Sequence, residues 1–428
     1  MRHQISNLRH RVYSWRQRRP LTRFCLVALL LVVWPFRFAI QKLLNGFSRS
    51  QQPRRILVIQ MAGLGDLLML TPALAALQDE YPKAKIDVIT LHDYVRDAFK
   101  NHPRLSTITS LPVYPGQWII SKLVNRSGAQ LVLVAIQYYP NLILRNLFSR
   151  YDVGINFAHS DFDRNLGNAL LYCLNVRRRV GLIGLNDKLI TDPVTVDYAR
   201  THRTEAYLKF LKPLDVSARN SSYEFPVGPN DLAALKLALR REGVDSSRPL
   251  AVIHPGGKLH INSRRWPAEY YAQVCDFLSS REGFEIVLTG DDGDIDVCDQ
   301  IAQSLGTKVK SLAGRLSFAE TAALLSLSEL CITNDTATLH LAEATRVARV
   351  VSIFGPTDTE LLAPQSDRHI TLRSKLPCAP CMGGIIDANT ERCWREVKEE
   401  CLSGISPEQV IGVLKQSYEA PPVRVVRA

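Results

Sequence analysis

The chain has 428 residues, 46% of them apolar, enough for two domains with separate cores. Its formal charge is +12, but residues 1–55 carry 12 Lys and Arg and no Asp or Glu, which leaves 41 basic against 41 acidic residues in the remainder. A body without net charge argues against a nucleic-acid groove. Nine cysteines, five of them (Cys25, Cys173, Cys275, Cys298 and Cys331) inside apolar or helical patterns, do not make a secreted disulfide scaffold.

The first element is the basic arm, residues 1–52. Arg16, Arg18, Arg19 and Arg23 precede the apolar run Phe24–Phe36, and Arg37, Lys42 and Arg49 follow it. This run is shorter than the roughly 20 residues of a span. Extension to Ile40 costs one charge, Arg37, which can snorkel. No small-residue cleavage site follows, which disfavours a cleaved signal peptide. Basic flanks on both sides predict a segment, residues 16–42, anchored on or in an anionic cytoplasmic leaflet, with a true span and a buried core helix as alternatives.

Two α/β halves come next. The first, residues 53–218, opens with the buried-strand pattern Arg54–Gln60, a glycine turn, and an amphipathic helix from Asp66 to Glu80 ended by Tyr81-Pro82. Further strands are predicted at Lys85–Leu91, Gln130–Ile136 and Tyr151–Ile155, with a helical stretch over 202–215. Residues 217–230, rich in Ser, Pro and Gly, read as a linker. The second half, residues 219–428, has strands at Leu250–His254, Glu285–Thr289, Lys308–Leu312, Leu330–Thr333 and Val350–Phe354. A last helix over Ser406–Ser417 has Ser406 as its cap and Pro407 at its first position. Strands alternating with helices imply two parallel sheets, hence two Rossmann-like domains facing across a cleft.

Chemistry collects at the ends of these strands. Asn334-Asp335-Thr336-Ala337-Thr338-Leu339-His340 follows Leu330-Cys331-Ile332 and opens a helix whose first-turn amides attract phosphate; its small residues let a diphosphate approach, and His340 falls one turn on. A capped helix without a ligand is the plain alternative. In the first half, Gly63 and Gly65 permit a tight strand-to-helix turn and, with Thr71, form the loop expected on the acceptor side. Asp66 would repel a pyrophosphate but can serve as a base, or else only complements the helix dipole. Leu68 breaks the dinucleotide fingerprint, which argues against an NAD-dependent oxidoreductase. His254, Gly256 and Gly257 end a strand, and Arg264 and Arg265 ahead of Trp266-Pro267 supply fixed positive charge for a departing diphosphate; a surface basic turn is the alternative. The loops Gly290–Asp294, Gly314–Ser317 and Gly355–Asp358, with Gly355 and Thr357, complete the rim of a ligand site.

These motifs resemble the heptosyltransferases of lipopolysaccharide core synthesis, glycosyltransferase family nine, from about Arg54 to Gln409. The most specific pieces are Gly65-Asp66 through Thr71-Pro72, Pro255-Gly256 with Arg264-Arg265-Trp266-Pro267, and Asn334-Asp335-Thr336 through His340. The resemblance implies a GT-B fold and a metal-independent, inverting transfer of heptose from ADP-heptose to a lipid-linked glycan acceptor at the cytoplasmic face of a bacterial inner membrane. It implies Asp66 as the base and Arg264, with Arg265 beside it, as the group assisting the diphosphate. It also implies that Asp335, Thr336, Ala337 and His340 line the donor pocket. Ala337 stands where that family commonly has Gly, and the family's well-studied members lack the basic arm. Another nucleotide sugar and a non-catalytic membrane scaffold are the rival readings.

Cys378, Cys381, Cys393 and Cys401 cluster near the C-terminus. Structural zinc, reduced thiols and disulfides all fit the spacing, which is not that of a common zinc ribbon. In each reading the cluster holds the C-terminal segment and takes no part in catalysis, and no cofactor is required.

Overall fold

The computed structural model describes residues 52–111, 139–145, 151–183, 187–257, 264–381, 399–419 and 425–427, with isolated positions 132, 136, 393 and 396. The basic arm lies outside the described residues, and so does the membrane expectation for 16–42. Among the described residues no helix is long and apolar enough to cross a membrane.

The first half is an all-parallel sheet built from β1 (Arg55–Ile59), β2 (Lys85–Thr90), β3 (Thr107–Ser110), β4 (Val153–Asn156), β5 (Arg178–Leu182) and β6 (Asp192–Val194), in the order β3-β2-β1-β4-β5-β6. β1 sits inside the sheet and is apolar from Ile56 to Ile59 because both its faces are covered there. Ile56 and Val58 meet Leu67, Leu70 and Leu74 of helix α1 (Leu64–Glu80), whereas Leu57 and Ile59 meet Ile143, Leu166 and Leu170 on the other side. Of the strand expected at Gln130–Ile136, the two described positions, Val132 and Ile136, are helical, and the fourth strand among the described residues is Val153–Asn156. A short apolar run has no periodicity that separates a buried strand from a buried helix.

Helix α1 contains Pro72, which has no N–H to give the Leu68 carbonyl. The hydroxyl of Thr71 replaces it, donating to Leu68 O at 2.7 Å, and it accepts the Glu224 N–H at 2.9 Å. Thr71 therefore ties α1 to the connecting segment. That segment has no regular structure until α6 (Pro229–Arg241), yet it is packed down: Tyr223 and Phe225 are buried, and the Phe225 ring meets Phe318 edge-on at 5.3 Å. Short helices α2 (Asp93–Phe99), α3 (Pro140–Arg145), α4 (Asp161–Cys173) and α5 (Arg203–Lys209) complete the first half.

The second sheet repeats the plan. Its strands are β7 (Leu250–His254), β8 (Glu285–Leu288), β9 (Val309–Ser311), β10 (Leu330–Asn334), β11 (Arg349–Phe354), β12 (His369–Arg373) and β13 (Val425–Arg427), ordered β13-β12-β11-β10-β7-β8-β9 and parallel throughout. The intervening helices are α7 (Ala268–Arg281), α8 (Ile295–Leu305), α9 (Phe318–Ser326), α10 (Ala337–Ala344), α11 (Thr359–Leu362), α12 (Glu400–Ser403) and α13 (Pro407–Glu419). Helix α9 starts at the expected cap: Ser317 Oγ accepts the Glu320 N–H, and Glu320 Oε2 accepts the Ser317 N–H. Ser406 and Gln409 form the same reciprocal box ahead of α13. The strand order of each sheet reverses beside its first strand, between β1 and β4 and between β7 and β10. The loops leaving those strands diverge and open a crevice at the carboxyl edge. Helices α1 and α10, which begin at these edges, pack on each other, so the two domains meet at their crevices.

Candidate functional site

In the second half the crevice is held open by Asn334. Its Oδ1 accepts from Trp266 N at 3.1 Å and Tyr271 OH at 2.9 Å, and its Nδ2 donates to Pro255 O at 2.9 Å and Gly256 O at 3.0 Å. All its polar capacity is spent on joining the β7 and β10 loops and the start of α7. Asp294, also buried, braces the same turn by accepting from Gly257 N at 3.2 Å and Asp291 N at 3.1 Å. A Cβ at Gly256 would run into the Asp294 carboxyl group, so only glycine fits there.

The two adjacent arginines do different work. Arg265 Nη2 donates to Asp294 Oδ1 at 2.8 Å and to Gly257 O, so it is turned into the brace. Arg264 lies against Asp335, with Nη1 3.4 Å from Asp335 Oδ2, while its buried Nε and Nη2 have no partner among the described residues. Unanswered buried donors are costly in an isolated protein and suit an anion that arrives later. Asp335 is itself buried; its Oδ2 also accepts from Thr357 Oγ1 at 2.8 Å, so its carboxylate orients Arg264 and Thr357. Thr336 is the N-cap of α10 with extended backbone and no capping hydrogen bond from its side chain. The amides of Ala337 and Thr338 therefore open the helix without a side-chain cap, whereas Leu339 N–H is met by Thr336 O at 3.2 Å. Thr336 stands beside Gly257, at 3.6 Å from where a Cβ would be. Gly355 and Thr357 follow β11 and are both buried. His254 donates from Nδ1 to Thr289 O at 3.0 Å, and burial holds its ring below the ordinary histidine range, hence neutral.

In the first half, Gly63 is the N-cap of α1 and Asp66 stands in its first turn. The Asp66 side chain is 26% exposed, so solvent and ligand can reach it. Its Oδ1 accepts from Tyr207 OH at 2.8 Å and lies 4.0 Å from Arg203 Nε, both on α5. Burial raises the Asp66 pKa, but Arg203, His159, the Tyr207 hydrogen bond and His340 outweigh it and hold the carboxyl below its ordinary value. His159, after β4, lies tilted against Tyr198 with ring centroids 5.6 Å apart, and the Arg203 guanidinium lies over the Tyr198 ring at 4.9 Å. Thr71, expected in this loop, is instead fully buried inside α1 against the connecting segment.

His340 links the halves. A Cβ on Gly65 would come within 2.9 Å of His340 Cδ2, so the first turn of α1 lies directly on α10. Burial pushes the His340 pKa down to about 4, so the ring is neutral. Gly65, which precedes Asp66, thus lies against both His340 and Ala337 of α10, and Arg264 lies against Asp335 just ahead of that helix. Tyr207, Arg203, His159, Asn334 and Asp294 were not among the expected site residues. Asn334 and Asp294 lay inside motifs already singled out. The other three come from strand and helix ends that only folding brings to Asp66.

Among the described residues no group of three or more His, Cys, Asp or Glu side chains is arranged to hold a metal ion. No disulfide joins Cys378, Cys381, Cys393 and Cys401 among the described residues. Burial, and to a lesser degree the other three sulfurs, push the Cys401 thiol up to about 12.

Residues 165–386 match the family model described as glycosyltransferase family 9 (heptosyltransferase). Lipopolysaccharide heptosyltransferase 3 of Escherichia coli (strain K12) is 27% identical over 315 residues, 72% of this chain and 84% of that protein. The crystal structure of the glycosyl transferase family 9 from Veillonella parvula DSM 2008 superposes with a TM-score of 0.67 at 20% identity, covering 87% of this chain and 100% of that one. E. coli heptosyltransferase WaaC with ADP-2-deoxy-2-fluoro heptose gives 0.56 at 17% identity, over 85% and 99%. Both solved structures share this fold.

Proposed function

The chain belongs to glycosyltransferase family 9, the heptosyltransferases of lipopolysaccharide biosynthesis, and from that membership we propose that it transfers a heptose from ADP-heptose to a lipopolysaccharide-core or related lipid-linked acceptor, with inversion. The observation that carries this reading is the contact of the first turn of α1, which bears the ionised carboxylate Asp66, with the uncapped start of α10, beside which Arg264 keeps its Nε and Nη2 donors open.

The acceptor hydroxyl lies on the first domain and attacks the anomeric carbon from the face opposite the diphosphate. As the new C–O bond forms, the bond to the diphosphate oxygen breaks and ADP leaves with the electron pair. Asp66 takes the hydroxyl proton. Its depressed pKa makes it a weak base, which serves a displacement in which the proton moves late, once the attacking oxygen has become strongly acidic. Charge on the departing diphosphate is met by the open Nε and Nη2 of Arg264 and by the amides at Thr336 and Ala337. Each group sits where charge changes in the transition state, and no metal is needed for either task.

The test uses purified full chain, ADP-heptose and truncated core lipid, with the product read by mass spectrometry. Asp66→Asn should lower turnover by about 10²- to 10⁴-fold while ADP still binds. Arg264→Ala should lower turnover by about 10²- to 10³-fold and also weaken ADP. Asp66→Asn with most of its turnover intact would remove the proposed base. A donor other than ADP-heptose that alone raises the melting temperature would favour the sister transferase.

The basic arm supports a peripheral or anchored position on the cytoplasmic face of the inner membrane, where lipid-linked acceptors are presented. Full chain should sediment with vesicles containing anionic lipid and release as salt rises, whereas chain beginning at residue 53 should not. Equal sedimentation of the two forms would overturn this placement.

A further inference from the structure

Helix α5 touches three parts of the molecule within two turns. Tyr207 OH donates to Asp66 Oδ1 at 2.8 Å, and Arg203 Nε lies 4.0 Å from the same oxygen. One residue earlier, His202 reaches into the second domain, where Nε2 meets Ala363 O at 3.0 Å, at the end of α11. Ala363 O can only accept, so Nε2 carries the proton. Nδ1 is then free to accept the Thr204 N–H at 3.3 Å, which makes His202 the N-cap of α5. Thr204 Oγ1 in turn donates to Tyr223 OH at 3.0 Å, and the Tyr223 ring lies 5.9 Å from that of His340, which rests on Gly65 beside Asp66. These contacts close a ring that runs from Asp66 through α5, the connecting segment and α10, and back to α1.

A single capping histidine that bonds a residue 161 positions away in the other domain is more than a helix start requires. A Ser or Asp would cap α5 equally well and make no such link. We propose that the His202–Tyr207 turn positions the Asp66 carboxylate and makes that alignment depend on the approach of the two domains. His202 is the fastening residue, and Arg203 and Tyr207 are the holding residues. Separation of the domains pulls the Ala363 carbonyl from His202, frees the start of α5, and lets Tyr207 and Arg203 drift from the carboxylate. The proton acceptor is then in register only when the donor half has closed over it, which restricts activated sugar from reacting with water in the open state. The charged and titratable groups facing His202 are Glu205 and Arg203 on its own helix, Glu360 on α11 and His340 on α10; burial dominates them and keeps the imidazole neutral, so the link holds across the neutral range.

This inference rests on Asp66 as the base, so Asp66→Asn is run beside two other variants, Tyr207→Phe and His202→Asn. Asn keeps the cap but is too short to hold Ala363. Turnover at saturating donor and acceptor, ADP affinity by calorimetry and the pH profile are measured for each. Tyr207→Phe should lower kcat by about tenfold with ADP affinity within about twofold of the parent. It should also move the acid limb of the profile to higher pH, because a hydrogen bond that favours the carboxylate has been lost. His202→Asn should lower kcat by a similar factor, leave ADP affinity unchanged, and raise slow hydrolysis of the donor relative to transfer. Parental kcat and an unmoved acid limb in both variants, with Asp66→Asn inactive, would sink the positioning role and leave the base intact. A loss of ADP binding in step with kcat would reduce the turn to scaffold. Turnover retained by Asp66→Asn would instead remove the base itself.

Discussion

Asp66 must be ionised to accept a proton and basic enough to hold it. Burial opposes its ionisation, but Arg203, His159, the Tyr207 hydrogen bond and His340 outweigh that and hold the carboxyl below its ordinary value. The carboxylate is therefore charged throughout the neutral range, and loss of activity on its protonation falls below the usual carboxylate region. Neither nearby histidine adds a limb. Burial takes His159 and His340 down to about 4, so both are neutral at working pH. The profile of kcat/KM should accordingly be flat from about pH 5 to pH 8, apart from any titration of the substrates. An inflection near 6.5 that disappears in His340→Gln would contradict this. The roles of Arg264 and Arg265 also part at this scale. Both are charged and adjacent, and sequence treats them alike. Asp294 claims Arg265 through Nη2, leaving its Nε open, whereas Arg264 keeps both Nε and Nη2 open, a division visible only once the Gly290–Asp294 loop is folded against Gly257.

Helix α1 combines a proline, a buried hydroxyl that compensates for it, and a glycine beside another helix. Thr71→Val leaves the Leu68 carbonyl and the Glu224 N–H without partners and should cost about 1–3 kcal/mol in urea unfolding. A loss smaller than the error of the measurement would show that water replaces the hydroxyl. Gly65→Ala puts a methyl group against the His340 ring. It should separate α1 from α10 by a few tenths of an ångström and reduce turnover by about tenfold or more, with ADP binding less affected. A fully active Gly65→Ala would mean that the contact is slack. Local patterns announced several elements well: the capping boxes at Ser317 and Ser406 are written within four residues, and β1, β7 and β10 are continuous apolar runs. β12 lies outside the strands expected from sequence because only Ile370 and Leu372 of its five residues are apolar, too short an alternation with polar residues to stand out. Those polar groups are buried all the same, His369 and Thr371 each bonding Ser352 of the neighbouring strand. Hydrophobicity does not reveal a polar residue whose partner lies on another strand.

At the scale of the whole molecule, two sheets with the same strand order meet through α1, α5, α10 and the connecting segment, and one apolar cluster runs through that junction. The junction buries histidines in neutral form. His102, His159 and His340 are pushed to about 4 and His369 to about 3, each first of all by burial, and His202 and His254 are lowered as well. The unfolded chain takes up protons near pH 6.5 that the folded one refuses, so stability from these groups is complete above that pH and declines as pH falls toward 4. The melting temperature should drop by about 5 °C or more between pH 7 and pH 5. A constant value over that range would place these rings in water. The sequence by itself determined the strand-end chemistry: Asp66 after a glycine turn, Arg264-Arg265 ahead of Trp266-Pro267, and small residues opening α10. Each of these is a pattern of near neighbours whose meaning follows from backbone geometry. Tertiary structure alone decided that Tyr207, 141 positions away, bonds Asp66, that Asp294 takes Arg265, and that His202 joins the domains. Such pairings depend on which strand ends the topology brings together, and no spacing along the chain encodes that.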